Sequence, residues 1–217
     1  MSTVQIPAVA PRRTGEPEPD LTSMYVIHRA MLGDLRRLTE LLSGAAVGHE
    51  RQAALRRYTA SMLVEIDHHH INEDELLWPL IERTAGQAVD LSPFTDDHEL
   101  LAPALEACRR ALHGDQKELG GLLASLLELL EEHIAEEERD LFPIVHRFVP
   151  YAAYAWVEKQ VAKRATLPEL AFTAPWLDRY ATREEIERLL AGAGWPFRVL
   201  LAATRGGYAR RERLVFG

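Results

Sequence analysis

Residues 68–79, HHHINEDELLWP, and residues 133–143, HIAEEERDLFP, are one device written twice. In each copy a histidine (His69, His133) stands ten residues, and a glutamate (Glu73, Glu137) six residues, ahead of a proline that follows a leucine and an aromatic side chain. Positions i and i+4 share one face of an α-helix, so each copy projects an imidazole and a carboxylate from adjacent turns toward a common point. Two such points facing each other would make a dinuclear metal site.

Outward from these copies the chain reads as helices. Residues 21–43 carry Leu21, Met24, Tyr25, His28, Met31, Leu32, Leu35, Leu38 and Leu42 at three- and four-residue steps, and Ser43-Gly44 with Gly48 end the run. A second segment, roughly 50–84, has Leu55, Tyr58, Met62, Ile66, His69, Glu73, Leu76 and Leu77 in register. Pro79 is expected to kink or terminate it, because proline lacks a backbone donor and crowds the preceding turn. A third begins near Ser92-Pro93 or Asp96 and runs through Leu101, Leu105 and Cys108 to Gly114; a fourth, about 115–147, passes Leu122, Leu126, Leu130, His133, Glu137 and Leu141. Long helices with short connections favour antiparallel neighbours, so the expected fold class is all-α: an up-down-up-down four-helix bundle with additional C-terminal helices. The halves repeat, His28 preceding His69 by 41 residues and His98 preceding His133 by 35.

His28, His69, His98 and His133 fall in apolar stripes where leucine would be the ordinary occupant. Four buried imidazoles and two buried carboxylates are costly without partners, and a hydrogen-bonded polar network is the plain alternative to a metal. Repetition of the whole set favours the metal. Six nitrogen and oxygen donors with no thiolate exceed the four of a structural zinc site, and the mixture suits iron, with manganese the nearest rival. Calcium prefers oxygen alone. Ferritin-like centres use Glu-x-x-His with lone glutamates, the reverse arrangement, and no zinc-protease, phosphate-loop or nucleophile-elbow motif is present.

The lone His28, HHHINEDELLWP, DDHELL (96–101) and HIAEEERDLFP resemble the hemerythrin-like, or HHE cation-binding, family over about residues 21–147. The resemblance implies a non-haem centre of two iron ions joined by an oxo or hydroxo group, with Glu73 and Glu137 bridging and the irons sharing His28, His69, His98 and His133. One departure stands out. Oxygen-carrying hemerythrins have His-x-x-x-His in the third helix, but four residues after His98 comes Ala102, so one imidazole is missing. Water, an exogenous ligand, Glu65 or Tyr25 are candidates for that place. An additional open position would favour reaction over reversible carriage of oxygen. His70 with Asp74 repeats the i,i+4 spacing about 100° around the helix, which places the pair beside the metal face or at the surface, the alternative being a one-residue shift of register that would turn this pair toward the metal. His68, Glu138 and Asp140 are candidates for orienting ligands, and Trp78 and Phe142 for closing the bundle.

Composition adds bounds. The chain has 217 residues, a net charge of -8 and a pI near 5.6, which argues against general affinity for nucleic acid or an anionic membrane. The lone Cys108 reads as an apolar filler and cannot form an internal disulfide framework; with no signal-like or membrane-spanning run evident, the cytoplasm is the expected location. Residues 1–20, with four of the twelve prolines, read as a flexible arm. Residues 148–217 read as a helical extension packing on the bundle or on a second copy: a fifth helix in YAAYAWVEKQVAKR, a break at Pro168 and Pro175, and a Thr182–Glu185 capping box opening a short helix to about Leu190. Arg198, Arg205, Arg210, Arg211 and Arg213 suggest a solvated tail. The functional expectation is reaction with a small oxidant, namely hydrogen peroxide, O2 or NO, in a catalase-like manner. The alternatives are a module that senses or stores O2, NO or iron, and a scaffold with a structural metal.

Overall fold

A computed structural model describes residues 5–44 and 47–217. Among these residues there is no strand, and no helix is long and apolar enough to cross a membrane. The bundle is built from α1 (Thr22–Ser43), α2 (His49–Asn72), α4 (Ser92–Ala111) and α5 (Gln116–Glu136). Asp115 opens α5 by accepting from the backbone N–H groups of Lys117 and Glu118.

The prolines act differently from the expectation of a kink or stop. α2 runs through a π-helical segment, Glu73–Leu77, directly into α3 (Trp78–Ala85), and α5 runs through Glu137–Leu141 into α6 (Phe142–Phe148). Pro79 and Pro143 cannot donate to the carbonyl four residues back. In each case the preceding aromatic instead donates five residues back, Trp78 to Glu73 and Phe142 to Glu137, which widens the turn and lets the helix continue. Both wide turns begin at the glutamate of the repeat.

Two apolar clusters fill the interior. One lies among Ala30, Met31, Ile66, Leu101, Leu130 and Ile134 and extends away from the repeats; the other holds Met24, Leu76, Trp78, Phe94, Leu141 and Phe142. On α1 the step from Met24 to Ala30 crosses His28, and on α4 the step from Phe94 to Leu101 crosses His98. The polar layer therefore sits where the two clusters meet.

The C-terminal region is a further layer. α7 (Tyr151–Arg164) covers the second cluster, and α8 (Leu167–Tyr180) and α9 (Arg183–Phe216) pack on each other and against α1 and α2. Pro168 falls in the first turn of α8, where no donor is needed, and Thr166 with Glu169 forms a capping box, so helix resumes where a break was expected. The Thr182–Glu185 capping box is present, but its helix continues past Leu190 to Phe216 through a bend at Gly194, whose φ is 78°. Gly33 permits the docking of α8, since a Cβ there would collide with the Tyr180 ring. Of the expected N-terminal arm, residues 1–4 lie outside the described residues, and the rest contacts the bundle: Ile6 is buried, Arg83 donates to its carbonyl at 2.9 Å, and Arg12 donates to the carbonyl of His146 at 2.7 Å.

Candidate metal centre

The residues of the two copies meet at the centre of the bundle as two adjoining donor groups. His28, His69, Glu73 and Glu137 form one; His70, Glu73, His98 and His133 form the other, and in each group the donor atoms all lie within 4.8 Å of one another. Glu73 belongs to both. Glu137 spans them as well, with Oε2 3.5 Å from His28 Nε2 and Oε1 3.5 Å from His133 Nε2. Every one of these side chains is at most 8 % exposed.

The imidazoles are oriented from behind. His28 Nδ1 lies 2.9 Å from Glu138, His98 Nδ1 2.8 Å from Asp74 and His133 Nδ1 3.2 Å from Asp97, while His70 Nδ1 lies 2.7 Å from the carbonyl of Ile66. Carboxylates and carbonyls only accept, so each Nδ1 carries the proton and donates it, and each Nε2 presents a lone pair to the centre. Aromatic rings fix the planes. Phe142 stacks on His28 with ring centroids 5.6 Å apart, and Trp78 stacks on His98 at 5.8 Å. Each pre-proline aromatic thus backs the lone histidine of the opposite half.

A metal answers an otherwise unfavourable arrangement. His98 Nε2 and His133 Nε2 are 3.2 Å apart with lone pairs converging, and His28 Nε2 and His69 Nε2 stand at the same distance. All four carboxylate oxygens of Glu73 and Glu137 are buried without a hydrogen bond, even though His69 Nε2 stands 3.1 Å from Glu73, and His70 Nε2 has none either. Protons fill these gaps poorly. Burial, with His98 and His69 nearby, lowers His133 to about 3; burial, then His69 and neighbouring histidines, holds His28 and His70 well below the usual range. Burial, followed by the charge of Glu73, raises Glu137 well above it. Cations placed among these donors would remove both problems, and the donor set fits them: imidazole and carboxylate without thiolate, four residues to a group, with three imidazoles in one and two in the other.

The hemerythrin HHE cation binding domain matches residues 20–145. The chain belongs to this family. The match takes in every residue of both donor groups and ends before α7, so α7, α8 and α9 lie outside the hemerythrin region. Zinc finger protein BRUTUS of Arabidopsis thaliana is 23% identical over 169 residues, covering 75% of this chain and 13% of the plant protein. No solved structure gives a significant match.

The structure brings His28, His69, Glu73, His98, His133 and Glu137 together as expected from their spacing. It corrects the reading of His70, which is 5 % exposed and stands in the three-histidine group rather than beside the metal face or at the surface. A donor for the place left by Ala102 is thereby available from α2. Glu73 lies about 40° around the helix from His69 and about 60° on the other side from His70, so the glutamate sits between them and both imidazoles reach the interior. Glu65 turns toward Thr173 on α8, where burial raises its carboxyl to about 7, and half-exposed Tyr25 lays its ring against Phe142. Glu138 orients a ligand, as does Asp74, the neighbour of His70 in the sequence reading. Asp140 pairs with Arg139 at the surface, and His68 faces Glu169. Asp97 was missed; the available signal is an acid directly adjoining a ligand, as Asp74 adjoins Glu73 and Glu138 adjoins Glu137. Cys108 is fully buried, and burial pushes its thiol up to about 11.

Proposed function

We propose that this hemerythrin-family chain holds two iron ions in the joined donor groups and reacts there with a small oxidant, hydrogen peroxide or O2 foremost and NO by the same route. The observation that carries this reading is the unequal division of donors: three imidazoles on one side, two on the other, with Glu73 shared. Iron in such a set supplies redox chemistry and polarises a bound oxygen species. The residues do the rest: Glu138, Asp74 and Asp97 keep the Nδ1 protons in place, Phe142 and Trp78 hold the ring planes, and burial excludes water and anything larger than a small molecule.

With His70 as a fifth imidazole the chain matches the oxygen carriers in imidazole number, so a missing ligand no longer separates reaction from reversible binding, and the two-histidine side is the place where a small oxidant would enter. Reversible binding, as in a sensing or storage module, is the second reading, and the packing of α8 and α9 on α1 and α2 gives it a route for relaying a change. Purified protein reconstituted with ferrous iron tests both. The expected result is two irons per chain, an oxo-to-ferric charge-transfer band, and oxygen release on adding peroxide. A reversible spectral change without turnover would favour the sensor. Iron content near zero, or content unchanged in a His69→Ala, His133→Ala double variant, would overturn the assignment.

A further inference from the structure

Outside the metal centre, one buried cluster concentrates oxidisable side chains around a single base. Asp34 on α1 is fully buried and accepts four hydrogen bonds: from Tyr58 Oη at 2.5 Å, Trp176 Nε1 at 2.7 Å, Tyr180 Oη at 2.6 Å and Arg37 at 3.0 Å. Tyr208 Oη lies a further 2.6 Å from Tyr58 Oη, and Phe172 and Phe216 pack edge-on against the Tyr58 ring. Two phenols and one indole, from α2 and α8, thus converge on one carboxylate, and a third phenol, from α9, joins through Tyr58. Asp34 follows His28 by six residues of one continuous helix, about 9 Å of axial rise.

We propose that Tyr58, with Asp34 as its proton acceptor, is a one-electron donor site serving the centre. This rests on the reading that the centre reacts with peroxide. Phenols and indoles are the most easily oxidised of the ordinary uncharged side chains, and an oxidised phenol is a strong acid. Oxidation of Tyr58 therefore needs a base already in hydrogen-bond contact. Burial and the adjoining Asp34 raise the Tyr58 pKa strongly, so its proton leaves together with an electron rather than alone. In the step, Tyr58 loses one electron, its O–H bond breaks and the proton moves to Asp34, leaving a neutral phenoxyl radical. Ascorbate or another one-electron reductant then returns an electron while Asp34 returns the proton. Two such passes supply the two electrons that, with two solvent protons, convert one hydrogen peroxide to two waters. Half-buried Tyr180, bonded to the same carboxylate, extends the cluster toward the surface.

A structural latch between the bundle and the α8–α9 layer would use the same hydrogen bonds, so the test must read the radical itself. Iron-loaded protein is mixed with hydrogen peroxide, frozen within milliseconds and examined by electron paramagnetic resonance. A tyrosyl signal is expected in wild type and in Tyr208→Phe, which keeps the Tyr58–Asp34 bond, with loss of at least ten-fold in Tyr58→Phe. Peroxide consumption with no radical, or an equal radical in Tyr58→Phe, overturns the proposal. A second arm needs no iron. Azide radicals generated by pulse radiolysis oxidise surface aromatics of the metal-free protein, and the hole should settle as phenoxyl in wild type, with its final yield cut at least three-fold in Tyr58→Phe. Equal yields overturn the proposal whatever the metal content, whereas absence of iron uptake alone would count against the functional reading.

Discussion

The two halves of the bundle differ most where they are most alike. The first copy reads His69-His70 and the second His133-Ile134. His70 brings a third imidazole to the group containing His98 and His133; Ile134 is equally buried but offers no donor, and the group of His28 and His69 stays at two. Much else is matched across the pair, from Glu73 and Glu137 to the acids that follow them and the aromatics that back the lone histidines. On the proposed reading, a single imidazole-to-aliphatic difference within a duplicated frame would give one metal an extra imidazole and leave the other side as the place for an incoming ligand.

Removing what the halves share should have the largest effect. Glu73→Ala is expected to reduce iron from about two per chain to well under one, since both donor groups lose an oxygen; metal analysis after gel filtration reads it. Making the halves alike is the next test. Ile134→His should slow reaction with peroxide by roughly ten-fold if the added imidazole closes the open side, at a stability cost of about 1–3 kcal/mol should it find no partner in the apolar core. Equal peroxide rates in stopped flow would show that the asymmetry does not control access.

Milder effects are expected behind the ligands. Glu138→Gln and Asp74→Asn each weaken the orientation of one lone histidine, and each should lower metal affinity by about 10–100-fold, to a similar extent in the two halves. A chelator competition titration compares them directly.

The smallest expected effect is the pH dependence of thermal stability. His133 has a pKa of about 3 in the fold against 6.5 in ordinary surroundings, so between these values only the unfolded chain binds its proton. The metal-free protein should lose stability as pH falls from about 6.5 toward 3. Glu137 acts in the opposite sense: its raised pKa costs stability as pH rises above 4.5 toward its folded value. Bound metal requires both groups deprotonated, so the rise in Tm on metal loading should be larger at pH 7.5 than at pH 5. An equal or smaller rise at pH 7.5 would mean that these groups do not bind the ion.

Much of this frame was legible in the sequence. Leucine periodicity located the four bundle helices to within a few residues, since one buried stripe per helix is a local property. The repeated His-x-x-x-Glu placed four donors for the same reason, and His28 and His98 stood out as histidines in apolar stripes. His70 escaped because strict i,i+4 counting treats a position 100° away as outside, whereas an interior holding two adjoining donor groups spans that arc with Glu73 in the middle. Pro79 read as a break because the remedy, a turn wide enough to bond five residues back, leaves no mark in the residue pattern. The Asp34 cluster joins residues 150 apart, from Tyr58 to Tyr208, and its Arg37 reaches Glu212, 175 residues on; no spacing rule spans such separations.

The central claim is that His70 completes the centre as its fifth imidazole, and the most direct measurement is iron content of wild type and His70→Ile reconstituted side by side. About two irons per wild-type chain, falling to about one or fewer in His70→Ile with secondary structure intact, is the predicted result. Equal iron retained at equal affinity in both would contradict it.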